Sequence, residues 1–105
     1  MPSLQEFQEK DFNEFYKSKN KGLVIFSAPW CAACKIVTPI IEKISSKFKD
    51  ISFIKIDVSK NPGLASRLGV MSLPNILFIS AGKIQNQIIG TATEKAIEDK
   101  LKAFK

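Results

Sequence analysis

Two cysteines, Cys31 and Cys34, stand three positions apart in the segment "SAPWCAACKIVTP", directly after Trp30, the one tryptophan of a 105-residue chain. Thiols at this spacing can bind a metal, pack as small apolar groups, or exchange with disulfides. A structural zinc site takes four ligands, mostly cysteine and histidine. This chain has two cysteines and no histidine, so a zinc or iron–sulfur site would need two chains pooling their thiols. Inert packing suits buried cysteines, whereas this pair follows a tryptophan at what reads as a surface turn into a helix. Redox chemistry fits best. Unpaired N–H groups and the positive end of the macrodipole at a helix N-terminus stabilise a thiolate, which is the nucleophilic form. A second cysteine one turn on can attack the mixed disulfide formed by the first. Cys31, nearer the helix start, is expected to attack; Cys34, deeper, is expected to resolve.

The elements that must hold this pair are readable from periodicity. "LVIFSA", Leu23 to Ala28, is an apolar run of strand length, the pattern of a strand buried on both faces. Behind the cysteines Ile36, Val37, Ile40, Ile41, Ile44 and Phe48 form a helical stripe, with Pro39 inside it expected to introduce a kink. "ISFIKIDV", Ile51 to Val58, is β-branched and reads as a strand. "LQEF" is a short edge strand, and Phe12, Phe15 and Tyr16 recur at helical spacing before the breaker "NKG". "NPGLASRLGV" is a short helix between breakers, and "NILFIS" and "KIQNQIIG" form a hairpin about "AGK". A closing amphipathic helix presents Ile97, Leu101 and Phe104 inward, with Thr91 and Glu94 as its expected capping box. The order β-α-β-α-β-α-β-β-α implies an α/β fold: a mixed sheet of about five strands, parallel through right-handed crossovers, with helices on both faces.

Length suits one domain over residues 1–105. The net charge is +6, but the lysines are scattered and Arg67 is the only arginine. Base readout and phosphate clamping lean on arginine, so no nucleic-acid role is expected. No apolar run approaches the roughly 20 residues of a membrane helix. "MPSLQEFQEK" has neither the basic start nor the apolar stretch of a signal peptide, so a cytoplasmic location is expected. There the pair should rest as thiols, not as a structural disulfide.

"FSAPWCAACKIVTPI" resembles the active-site segment of the thioredoxin family, and "DVSKNPGLASRLGVMSLPNILFISAGK" is similar to its second half. Trp30, Cys31, Cys34, Lys35, Pro39, Asn61, Pro62, Val70 to Pro74, Gly82 and Gly90 stand at the family spacing. The resemblance covers nearly the whole chain and implies a thioredoxin fold and a protein-disulfide reductase working by dithiol–disulfide exchange. It further implies a cis bond before Pro74, substrate backbone contact at Leu73, and an apolar groove lined by Trp30, Met71, Pro74, Gly90 and Thr91. Lys55 matches a lysine associated with catalysis. No bound cofactor is expected, since the dithiol carries two electrons. The implied partners are disulfide-containing proteins and a flavoprotein NADPH-dependent reductase, and a monomer is expected. A more oxidising oxidase or isomerase, and a docking module without turnover, are the alternatives.

The chain departs from the family at three places near the thiols. Ala32 and Ala33 replace the usual Gly-Pro dipeptide. Alanine keeps the N–H that proline lacks, so Ala33 should aim one more donor at the Cys31 sulfur and make the pair more oxidising. Ile25 replaces the family's buried aspartate, which is assigned proton transfer at the deeper cysteine. Lys55 then lacks its usual partner, and Asp57, on the same strand face, is the expected substitute. Ser27 stands where the family often has a tryptophan.

Overall fold

The computed structural model describes residues 4–104. The order is β1 (Gln5–Glu6), α1 (Glu9–Ser18), β2 (Gly22–Ser27), α2 (Ala32–Ser45), β3 (Ser52–Asp57), α3 (Pro62–Arg67), β4 (Asn75–Ser80), β5 (Lys83–Ile89) and α4 (Glu94–Lys102). The five strands form one sheet in the order β1-β3-β2-β4-β5. β1 and β2 pair with β3 in parallel, while β2–β4 and β4–β5 are antiparallel. This is the mixed sheet expected from the element order.

Alternation along the central strands divides the core in two. Leu23 and Ile25, Phe53, and Ile76 and Phe78 pack with Val37, Ile41 and Ile44 of α2 and with Ile97 and Leu101 of α4. Val24 and Phe26, Ile54 and Ile56, and Leu77 and Ile79 pack on the other face with Phe12 and Phe15 of α1 and Leu64 of α3. A strand buried on both faces must be apolar at every position, which is why β2 and β4 read as continuous apolar runs. Gly22 starts β2 beneath the Phe15 ring, where a Cβ would overlap the ring.

Several local details differ from expectation. α4 is capped by Thr93, whose hydroxyl accepts from the Ala96 N–H at 3.1 Å, and not by Thr91. The helix starts two residues late for a Thr91–Glu94 box, and Glu94 instead faces Lys43 and Lys47 of α2 at 3.4 and 3.3 Å. As expected, Pro39 lies inside α2, which spans Ala32 to Ser45. The β4–β5 turn places Ala81 and Gly82 at φ 56° and 71°, a pair of left-handed residues matched to a tight hairpin.

Buried Asn61 joins three elements. Its side chain donates to the Gln8 side chain and the Asp57 carbonyl, each at 3.0 Å, and accepts from the Glu9 N–H at 3.0 Å. The beginnings of α1 and α3 are thereby fastened to the end of β3, one of the strand ends around the cysteines.

Candidate active site

β2 delivers the chain to Ser27, and a turn closed by the Cys31 N–H to the Ala28 carbonyl at 3.1 Å leads into α2. Cys31 is the N-cap of α2 in extended conformation, and its sulfur accepts from the Cys34 N–H at 3.1 Å. The two cysteines are joined as a disulfide with their Cα atoms 5.3 Å apart, the oxidised form of an exchangeable pair. Cys31 is partly exposed, whereas Cys34 is only 3% exposed. The donor to the Cys31 sulfur is Cys34 and not Ala33. A capping side chain reaches the N–H two or three residues on, and here the third residue makes the bond. A proline at 33 would leave that bond standing.

On the Cys31 side lies an open groove of about 810 Å³, lined by Trp30, Cys31, Val58, Ala65, Met71 and Leu73, among others, none of them charged. Trp30 and Met71 are 70% and 93% exposed, far more than apolar packing would leave. The Leu73–Pro74 bond is cis and Pro74 is buried. The Gly90 N–H donates to the Pro74 carbonyl at 2.8 Å, with Gly90 at φ 92°. Trp30, Met71 and Leu73 therefore share one wall system with Cys31. Thr91 instead lines a separate depression with Ile88, Ala92 and Ala96.

Sequence reasoning passed over Ile89. It is 60% exposed, pairs with Asn75 next to Pro74, and precedes Gly90. Its signal was an isoleucine ending a largely polar edge strand, just before a glycine at the family spacing.

A second cavity of about 410 Å³ opens on the Cys34 side and does not include Cys31. It is lined by Cys34, Lys35 and Thr38 of α2, Ser27 of β2, and Lys55 and Asp57 of β3, together with Ala28, Pro29 and Pro39. Ile25 is fully buried, as the alignment with the family's aspartate requires. Lys55 is its register partner on β3 and half-buried. The expected Lys55–Asp57 pair is not formed: among the described residues no carboxylate lies within 4 Å of Lys55. Asp57 turns instead to Ser59, accepting from its N–H at 2.8 Å and its hydroxyl at 2.6 Å. Burial pushes the Asp57 carboxyl up, but the Ser59 hydrogen bonds and the charges of Lys60 and Lys55 outweigh it and hold it below the usual range. A two-residue Asx-type turn is the closer partner, so it wins over the longer reach to Lys55.

A cysteine pair capping a helix, a cis proline and an uncharged groove on a mixed sheet together define a thiol–disulfide oxidoreductase. The chain belongs to the thioredoxin family, whose model, described as Thioredoxin, matches residues 3–103. It is 36% identical over 103 residues to the thioredoxin of Borreliella burgdorferi, covering 96% of this chain and 88% of that protein. It is 38% identical over 85 residues to thioredoxin H2 of Arabidopsis thaliana, covering 80% of this chain and 63% of that longer protein. Among solved structures, thioredoxin NaTrxh from Nicotiana alata superposes with a TM-score of 0.89 at 29% identity, over 98% of this chain and 94% of that one. The chain is accordingly a protein-disulfide reductase acting on disulfide-containing proteins. Among its described residues, no helix is long and apolar enough to cross a membrane.

Proposed function

We propose that Cys31 is the attacking thiol and Cys34 the resolving thiol of a cytoplasmic electron carrier that reduces protein disulfides as a monomer. The observation that carries this reading is the unequal exposure of the pair: Cys31 borders the groove, while Cys34 is 3% exposed and borders only the cavity behind. A substrate strand lying along Trp30, Met71 and Leu73 would bring its disulfide to Cys31. The Leu73 backbone beside the cis bond, with Pro74, Gly90 and Ile89 at the sheet end, would complete the docking surface. Lys55 is the candidate catalytic side chain behind Cys34. Thr91 stands in this reading only at the margin, because it faces another depression. Re-reduction by a flavoprotein that takes electrons from NADPH completes the cycle.

Brief alkylation of the reduced protein followed by peptide mapping tests the assignment. Cys31 should label first; dominant labelling of Cys34 would reverse the roles. NADPH consumption with a purified thioredoxin reductase tests the partner, and none above background with that enzyme would count against it.

A further inference from the structure

Lysines that are scattered along the sequence are gathered by the fold. β2 runs from Gly22 to Ser27 and carries the chain about 20 Å, from the far end of the sheet to the thiols. At that far end lie the close of α1 with the turn after it, the turn between α2 and β3, and the β4–β5 hairpin. These segments carry Lys17, Lys19, Lys21, Lys49 and Lys83. Backbone bonds hold them together: the Ser52 N–H donates to the Lys21 carbonyl at 3.0 Å, and the Ala81 N–H to the Lys19 carbonyl at 3.3 Å. Between them opens a depression of about 540 Å³, lined by Lys19, Lys21, Lys49, Ser52 and Ser80, with Asp50 its one carboxylate. We propose that this depression binds a soluble oligophosphate, a short chain of phosphoryl groups, at the end of the molecule opposite the thiols.

The cations at this end lack partners. Among the described residues, none of the five lysines lies within 4 Å of a carboxylate, Asp50 included. Lys43, Lys47, Lys60, Lys95 and Arg67, elsewhere on the surface, are all paired. The dipole of α1 accounts for part of the cluster: Lys17 lies in its last turn and Lys19 is its C-cap, where cations are favoured. Lys21, Lys49 and Lys83 stand outside any helix and have no such task. Like charges held close together repel and oppose folding. A polyvalent anion seated among them turns that repulsion into binding energy.

The lining selects among anions. Lysine meets phosphate as a point charge, and three ammonium groups answer the several charges of an oligophosphate. The hydroxyls of Ser52 and Ser80 and the amide of Asn20 supply neutral donors for the remaining oxygens. Nucleic acid fits poorly, because neither an arginine nor an aromatic ring lines the depression. A membrane surface fits poorly too, because the one large apolar residue there, Ile51, is buried. An acidic peptide carries its charges on separate flexible side chains, and ordering them costs entropy that a phosphate chain largely avoids. Neither Trp30 nor Cys31 lines this site, so an anion held here would tether the protein and leave the groove open.

Titration of the full chain with inorganic tripolyphosphate, followed by calorimetry and by amide NMR shifts, tests the proposal. Binding should be saturable and one-to-one, and should weaken as salt is raised. Shifts should concentrate at Lys19 to Lys21, Lys49 to Ser52 and Ser80 to Lys83. The combined variant Lys19→Gln, Lys21→Gln, Lys49→Gln should lose affinity at least about tenfold. The charge-matched variant Lys10→Gln, Lys95→Gln, Lys102→Gln, altered outside the depression, should lose less than about twofold. Thermal melting without anion checks that the first variant folds. Were it unfolded, Lys49→Gln alone, in an exposed turn, should weaken binding measurably, and no change there would overturn the proposal. Equal losses in the two combined variants would overturn it, because net charge alone would then explain binding. Hexaglutamate bound as tightly as tripolyphosphate would overturn the phosphate assignment. Binding to phosphatidylserine vesicles with none to tripolyphosphate would replace the soluble anion with a membrane. Absence of saturable binding to the parent protein would end the proposal and leave the reading of the thiols untouched.

Discussion

The disulfide divides its surroundings into two unlike halves. In front of Cys31 lies a wide apolar groove with no charged wall, rimmed by side chains as exposed as Met71. Behind Cys34 lies a cavity half that size, where two lysines and an aspartate meet a buried sulfur. In the proposed reading the front holds a chain by apolar area, which is tolerant of sequence, and the rear serves the proton of the buried thiol. One turn of helix separates recognition from proton chemistry, so changes on either side should register in different measurements.

The largest expected effect comes from removing the rear thiol. Cys34→Ser should still attack substrate through Cys31 but accumulate mixed disulfides, with turnover of a disulfide-containing protein falling to the uncatalysed background. Turnover near the parent rate, read from dithiothreitol-driven precipitation of a reduced substrate protein, would show that the rear half is dispensable.

Ile25→Asp places an acid at the junction between the rear cavity and the core. Burying an ionisable group is unfavourable, so the variant should be less stable than the parent by about 2–4 kcal/mol at neutral pH. Desolvation at a fully buried site should raise the carboxyl pKa, with Lys55 opposing only in part. The folded form then binds its proton more tightly than the unfolded form. The added penalty is absent below the unfolded value near 4 and grows until the folded pKa is passed. Urea midpoints of parent and variant should accordingly diverge between about pH 4 and 8; a constant gap would place residue 25 in water.

Met71→Asp probes the front alone. A carboxylate on the uncharged rim should raise KM for a protein substrate about tenfold while leaving kcat unchanged. A fall in kcat with constant KM would merge the two halves.

The smallest effect is expected at the dipeptide. Loss of one charge-assisted hydrogen bond, about 1.5–3 kcal/mol, would move the reduction potential by about 30–60 mV. Because the Cys31 sulfur is served by Cys34, Ala33→Pro should move it by less than about 30 mV against glutathione. A larger fall would mean that Ala33 does serve the sulfur in the reduced form.

Much of this architecture is legible in one dimension because the central strands have no polar alternative. β-branched apolar runs of strand length at Leu23 to Phe26 and Ile76 to Ile79 fit strands covered on both sides, and the cysteine pair announces its helix start. What sequence could not resolve is decided by competition between close neighbours. Thr91 and Thr93 both suit a cap, and α4's packing on α2 selects the later one. Asp57 had Lys55 and Ser59 within sequence reach, and the short turn prevails. The division of the active site into front and rear was invisible, because it depends on which side of α2 each wall stands. Ile89 escaped notice because an exposed isoleucine has no periodic signature.

The Asn61 fastening has a consequence for how this protein can be altered. α3 supplies Pro62, Ala65 and Ser66 to the far wall of the groove, yet its first turn is tied to α1 through Asn61 and its last through Arg67, which bonds Glu9 and Asn13 at 2.8 Å. In the proposed reading the recognition wall is thus fastened to a helix that lines neither the groove nor the rear cavity. Substitutions along the solvent face of α1 can therefore shift α3 and retune which substrates are accepted while the reduction potential stays where it is. Selectivity and driving force become independently adjustable, with the handle for the first some 20 residues ahead of the cysteines in the chain.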